Sequence, residues 1–310
     1  MNNANEIGVK KASLVIRALA PALPGLSGLR AKPWRDYYES VEPQRVRVGD
    51  IDVAHKIFGE GEPLVLISAY MATMARWDAH FLQNLAAEYQ VIVFDNRGMG
   101  NTGSGHARWT IDQFAADTAG LIQALGLEKA HVLGYSLGGD IALSQAVNFP
   151  ESVDRLICYA GDCGGQDKVP PPGYMEVMRD FREVATPMKW AFGLLFPPAW
   201  MQQHPFCWKS IPIRQGRSPL RSILRQNQAY NKWDGVYAEL PEISQPTLIV
   251  TGTEDASTPP GNADILAQQI RGSQLVRFEE AGHGLMYQHP LELSRIVKEF
   301  LRSRDGSLTA

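Results

Sequence analysis

From residue 44 onward the apolar positions follow two alternating rhythms. Residues 63–69 (PLVLISA), 90–95 (QVIVFD), 129–136 (KAHVLGYS) and 153–160 (VDRLICYA) are short runs, apolar at nearly every position. Such runs suit strands covered by helices on both faces, as in a parallel sheet. Between them lie two helix-like stretches, residues 74–89 and 110–127. The second sets Ile111, Phe114, Ala115, Thr118, Leu121, Ile122 and Leu125 at helical spacing, one apolar stripe to face a sheet. Ahead of these, residues 45–48 and 51–58, parted by Gly49-Asp50, read as an opening hairpin. The rhythm stops after Ala160. It resumes near residue 247, with strands over 247–252 and 274–278 and helices over 261–270 and 290–301. The pattern predicts an α/β fold: a mostly parallel wound sheet with an opening antiparallel hairpin, helices on both faces, and a helical cap insertion.

The interruption runs to roughly 75 residues, too long for a bare connection. The chain therefore divides into an N-terminal extension (1–43), a first part of the core (44–162), a helical insertion (163–240) and a second part of the core (241–310). Its 310 residues are 45% apolar and 20% charged, the composition of a globular chain with one core. The net charge of −3 marks no footprint for nucleic acid or anionic lipid. Cys158, Cys163 and Cys207 are too few and too scattered for a disulfide scaffold or a zinc cluster, so a reducing, cytoplasmic setting is expected. Near the N-terminus, residues 12–16 are apolar but Arg17 interrupts them, and Pro21, Pro24, Gly25 and Gly28 break the run 18–29. Neither can span a bilayer. The extension reads as loosely held, with a short amphipathic helix over residues 9–19, touching a membrane surface or covering a site, as the alternative.

Gly134-Tyr135-Ser136-Leu137-Gly138 is a Gly-x-Ser-x-Gly between a strand-like and a helix-like run. A strand turning sharply into a helix strains its pivot, and glycines two before and two after remove side chains that would collide there. The hydroxyl of Ser136 is then left at the carboxyl edge of the sheet, facing the free N–H groups of a helix that begins at Leu137. A serine hydroxyl needs a base, and the base an orienting acid. Of seven histidines, His283 follows the last strand in Glu-Ala-Gly-His-Gly and is the expected base; His131 lies inside a strand and His289 precedes Pro290 at the start of a helix. Asp255, in Gly-Thr-Glu-Asp after a strand, is the expected acid, with Glu254 beside it and Asp162 after the preceding strand as rivals.

Together, GYSLGG after one strand, DNRGMGNTG after an earlier one, GTED after a later one and then EAGHG resemble the α/β-hydrolase family over about residues 44–303. More narrowly, the chain is similar to capped members that include small-molecule esterases, enol-lactonases, haloperoxidase-like perhydrolases and carbon–carbon hydrolases. The resemblance implies Ser136 as nucleophile, Asp255 as orienting acid and His283 as base. It implies an oxyanion hole from the backbone N–H groups of Leu137 and Tyr70. Where the family usually has His-Gly before that second donor, this chain has Ser68-Ala69, which bears on the shape of the loop. Serine rather than aspartate at position 136 argues against the epoxide hydrolases and haloalkane dehalogenases of the family. The Asp95–Gly100 turn reads as architectural, with Arg97 tying carbonyls or a carboxylate together.

The insertion is rich in large apolar side chains, of which Trp190, Phe196 and Trp200 are candidates to line a pocket over Ser136 and the others to form its own small core. Arg214, Arg217, Arg221 and Arg225 share one helical face, read as solvated. The expectation is a serine hydrolase of a small carboxylic ester or lactone, acting without metal or organic cofactor. Carbon–carbon cleavage, perhydrolysis and a slow-turnover ligand-binding or signalling role on the same site remain alternatives.

Overall fold

The strands of the sheet are β1 (Ser13–Ile16), β2 (Gln44–Val48), β3 (Ile51–Phe58), β4 (Glu62–Ile67), β5 (Tyr89–Phe94), β6 (Ala130–Tyr135), β7 (Val153–Tyr159), β8 (Thr247–Gly252) and β9 (Gln274–Phe278). Their order across the sheet is β1-β9-β8-β7-β6-β4-β5-β3-β2. β3 pairs antiparallel with β2 and β5, and every other neighbouring pair is parallel. This computed structural model describes residues 13–16, 27–171, 192–212, 218–303 and 306–308. Among them no strand lies between β7 and β8, where the expected insertion falls.

Alternation along the strands feeds two cores. Leu64, Leu66, Leu133, Tyr135, Ile157 and Val250 point to one face, against α2 (Ala79–Ala86) and α9 (Pro290–Arg302). Val65, Ile67, Val132, Leu156 and Ile249 point to the other, against α3 (Ile111–Ala124), α4 (Leu137–Asn148) and α7 (Gly261–Gln269). The apolar stripe of α3 is buried as its spacing predicts, apart from Leu125, which caps the helix and is half-buried. Thr110 starts α3 by accepting the Gln113 N–H at 3.0 Å. Each Leu, Ile or Phe so buried contributes about 2 kcal/mol through the water it leaves.

Two expectations change. Residues 74–89 do not form one helix: a 3-10 turn at Met74–Arg76 precedes α2, because Asp78 takes the cap position and accepts the N–H groups of His80 and Phe81 at 2.9 and 3.0 Å. Residues 1–12 and 17–26 of the N-terminal extension, and with them most of the alternative helix over 9–19, lie outside the described residues. Ser13–Ile16 adds to the sheet as β1, parallel to β9, and α1 (Ser27–Ser40) follows. Leu14-Val15-Ile16 is a good strand sequence, and the outer edge of β9 offers it a row of N–H and C=O groups. The end of α1 is held on the core: Tyr38 stacks on Phe58 at 5.1 Å, donates its hydroxyl to the Met74 carbonyl at 2.6 Å, and accepts Lys56 Nζ on its own carbonyl at 2.8 Å.

Arg97 is architectural, as its turn suggests. Its guanidinium is buried and grips Asp117 through two bonds, of 2.6 and 2.7 Å, while its third nitrogen bonds Asp50 at 2.7 Å. One planar cation thus ties the start of β3 to α3 and the 95–100 turn.

Candidate active site

Ser136, Asp255 and His283 follow the ends of β6, β8 and β9 on the carboxyl edge of the sheet, where crossing helices leave a crevice. Ser136 follows β6 with φ 56° and ψ −123°, a left-handed geometry a serine adopts only under compulsion. Its N–H is tied to the Tyr159 carbonyl at 2.9 Å, and its own carbonyl accepts the Gly139 N–H at 2.6 Å as α4 begins. Its side chain is half-buried rather than enclosed. Leu137, first residue of α4, carries an N–H with no acceptor inside the helix.

The elbow is tight enough to exclude any side chain at the flanking glycines. A Cβ on Gly134 would lie 1.9 Å from the Gly138 carbonyl oxygen, and one on Gly138 would lie 2.1 Å from that of Ile67. Both collisions are with backbone, so nothing flexible can give way. Gly134→Ala is therefore expected to lower unfolding stability by about 3 kcal/mol in a urea titration, by overpacking. A loss below about 0.5 kcal/mol would show the turn to be looser than drawn.

His283 and Asp255 meet. His283 Nδ1 donates to Asp255 Oδ2 at 2.8 Å, and both residues are buried. The other carboxylate oxygen of Asp255 accepts the N–H groups of Ser257 and Thr258, each at 2.8 Å. Every face of the acid is thus assigned before any substrate arrives. The two rivals stand elsewhere: Glu254 is exposed, and Asp162 accepts the Gly164 N–H at 2.8 Å and the Tyr230 hydroxyl at 3.0 Å. Asp162 also donates its N–H to Asp140 at 2.9 Å; burial, then the Asp162 charge, pushes the Asp140 carboxyl well above the usual range.

Two tyrosines that sequence reasoning did not single out hold the histidine. Tyr135 and Tyr159 donate their hydroxyls to the His283 carbonyl at 3.1 and 2.8 Å, their rings stacked at 4.6 Å. The Tyr135 ring also lies 5.1 Å from the imidazole. Since Tyr135 immediately precedes Ser136, the same short piece of chain fixes both the elbow and the backbone of His283. Burial drives both phenols far above their ordinary pKa, so they remain donors.

The loop after β4 answers the question raised by Ser68-Ala69. Ala69 accepts the Ala72 N–H at 3.1 Å, closing a turn in which Met71, not Ala69, takes the left-handed conformation, φ 61°. That conformation is stabilised from α6 (Leu220–Asn231) and the residues just before it. Gln226 Oε1 accepts the Met71 N–H at 3.0 Å, and Ser218 Oγ donates to the Met71 carbonyl at 2.9 Å. Tyr70 sits at the middle of this turn and bonds the Ile223 carbonyl through its hydroxyl at 3.4 Å.

Of the pocket candidates, Trp190 lies outside the described residues, as do Arg214 and Arg217. Phe196 is buried, stacked at 4.8 Å on Trp200 of α5 (Pro198–Gln203) and edge-on to Tyr287 of α8 (Leu285–Gln288) at 6.3 Å. The chain around it seals the histidine loop: the Leu195 carbonyl accepts the Gly284 N–H at 2.7 Å, and the Leu194 carbonyl accepts Ser257 Oγ at 3.0 Å. His131 bonds Glu62 at 3.2 Å at the opposite end of β6, and His289 precedes α9. A separate cleft of about 1050 Å³ lies between the 98–110 loop and α6. Ser136, Asp255 and His283 do not line it, and its walls mix Arg225 and Lys232 with Asp112 and Glu239. Among the described residues no cluster of His, Cys, Asp and Glu could hold a metal ion.

A strained serine at a strand–helix turn, with a buried His–Asp pair on neighbouring strand ends, is the arrangement of an α/β hydrolase. The chain matches the family described as alpha/beta hydrolase fold over residues 62–290, and it belongs to that family. It is 26% identical to the serine hydrolase BPHL of Homo sapiens over 95% of this chain and 97% of that one. It is 27% identical to 2-hydroxy-6-oxononadienedioate/2-hydroxy-6-oxononatrienedioate hydrolase 2 of Pseudomonas putida, covering 83% and 95%. An esterase from Thermogutta terrifontis superposes with a TM-score of 0.71 over 84% of this chain and 98% of that one, at 23% identity.

Proposed function

We propose that this chain is a serine hydrolase of a small carboxylic ester or lactone, working through an acyl-enzyme on Ser136, His283 and Asp255. The observation that carries this reading is the 2.8 Å bond between His283 Nδ1 and a buried, otherwise satisfied Asp255, with the imidazole 5.1 Å from the ring of Tyr135, whose next neighbour in the chain is a serine held at positive φ. With Nδ1–H committed to the carboxylate, Nε2 is the basic nitrogen. It takes the Ser136 proton as the oxygen attacks the carbonyl carbon, and Asp255 stabilises the imidazolium that forms. The oxyanion is received by the N–H groups of Leu137, at the positive end of α4, and Tyr70. His283 then returns the proton to the departing alkoxide. Water, deprotonated by the same nitrogen, releases the acid, and the chemistry calls for neither metal nor organic cofactor.

Phe196 and Trp200, closing over the histidine loop, are proposed as part of an apolar wall that excludes water from the acyl site. Carbon–carbon hydrolysis on the same three residues is the second reading, favoured by the Pseudomonas putida relative. A panel of p-nitrophenyl esters and lactones, run beside a conjugated 2-hydroxy-6-oxo-dienoate, separates the two. Ester turnover with a fluorophosphonate adduct on the Ser136 peptide is expected; turnover of the dienoate alone would favour the second reading. No adduct and no turnover across the panel would sink both.

A further inference from the structure

The whole-chain charge of −3 conceals a regional imbalance. Residues 184–233 contain seven Lys and Arg and not one Asp or Glu, leaving 23 of the 30 basic side chains against all 33 acidic ones elsewhere. Within that stretch, α6 turns Ser222, Gln226 and Ala229 inward and holds Leu220 and Leu224, one turn apart, on its outer side at 70% and 59% exposure. An ordinary surface helix carries polar groups at those positions. Beside them lie Tyr70 and Met71, 37% and 46% exposed, joined to α6 through the bonds to Ile223, Gln226 and Ser218. Four of the eight large exposed apolar side chains among the described residues thus gather on one face, with the exposed Arg221 on the next position of the helix.

We propose that this face, the outer side of α6 with Tyr70 and Met71, docks on an anionic phospholipid bilayer. Two features select that occupant. The apolar side chains are long and exposed, suited to sinking among acyl chains without a shaped partner, and the charged side chains of α6 and its cap, Arg221, Arg225 and Lys232, are all positive. No helix among the described residues is long and apolar enough to cross a membrane, so the contact is peripheral. On the proposed reading, in which the Tyr70 N–H joins the oxyanion hole, docking sets the mouth of the site against the lipid surface. An ester dissolved in the bilayer then reaches the site without crossing water.

The test is sedimentation of the full-length protein with vesicles of phosphatidylcholine containing phosphatidylglycerol, against pure phosphatidylcholine. Binding at least tenfold stronger to the anionic vesicles is expected, weakening as salt rises from about 0.1 M to about 1 M and the screening length falls from ~10 to ~3 Å. Leu220→Asn with Leu224→Asn is expected to lower partitioning at least fivefold, and Arg221→Glu by about fivefold or more. Circular dichroism and melting temperature should be unchanged, since these side chains point outward. Ser136→Ala should bind as well as the unaltered protein, which separates this proposal from the catalytic one. No vesicle binding, or equal binding by the Leu220/Leu224 variant, overturns the proposal. So does a dimer seen by sedimentation velocity that the same substitutions dissolve, since the face would then meet a second copy of the chain.

Discussion

Ser136→Ala is expected to lower kcat/KM on short p-nitrophenyl esters by a factor of about 10⁴ or more, with KM little altered. On the proposed mechanism the loss falls on kcat, because the hydroxyl supplies the bond that forms, whereas the N–H groups of Leu137 and Tyr70 and the walls around them still receive the ester. Some acceleration over water survives for that reason. The fold should not be disturbed: alanine and serine meet the same steric objection to φ 56°, so stability should shift by less than about 1 kcal/mol. His283→Ala should cost about as much, and the double variant no more than either single one, because a nucleophile without its base and a base without its nucleophile are equally idle. Additive losses would mean that the two side chains act in separate steps. Full activity in Ser136→Ala would remove the serine mechanism altogether.

What the sequence made legible was what short stretches of chain encode. Strands such as β4 and β8 follow from unbroken apolar runs, α3 from its stripe, and the elbow from two glycines whose absent side chains the structure shows to be obligatory. The sequence could not separate Asp255 from Asp162, because both follow strands, and only the loop path decides which one meets His283. Asp255 does, through the turn at Ser257 and Thr258 that aims it. Gln226 was illegible for a different reason. A glutamine in a helix flanked by arginine and asparagine reads as solvated, yet it is buried and holds the Met71 turn from 155 positions away in the chain. Tyr135 and Tyr159 likewise read as strand residues, and nothing local announces that both hydroxyls converge on one carbonyl. The strand at Ser13–Ile16 was missed because its partner edge lies more than 250 residues further along.

Asp255→Asn should lower kcat by about ten-thousandfold at neutral pH while leaving the protein folded. The direction follows from the two halves of the carboxylate. Oδ1 accepts two backbone N–H groups, which an amide nitrogen cannot do, so the asparagine oxygen must stay on Ser257 and Thr258. Its NH2 then occupies the place of Oδ2, 2.8 Å from His283 Nδ1, and demands an acceptor there. The imidazole answers by moving its proton to Nε2, the nitrogen proposed to receive the Ser136 proton, so the base is present but in the wrong tautomer. Asp162→Asn provides the contrast. Its carboxylate bonds Gly164 and Tyr230 and does not touch the histidine. The amide oxygen keeps the Gly164 N–H and the Tyr230 hydroxyl can turn to accept from its NH2, so a charged acceptor gives way to neutral bonds, which lowers stability by about 1 kcal/mol with kcat held within about threefold. A melting temperature that moves for one variant and a kcat that moves for the other would separate the orienting acid from the structural one. A thousandfold fall in kcat for Asp162→Asn, with Asp255→Asn near normal, would transfer the role to the earlier strand.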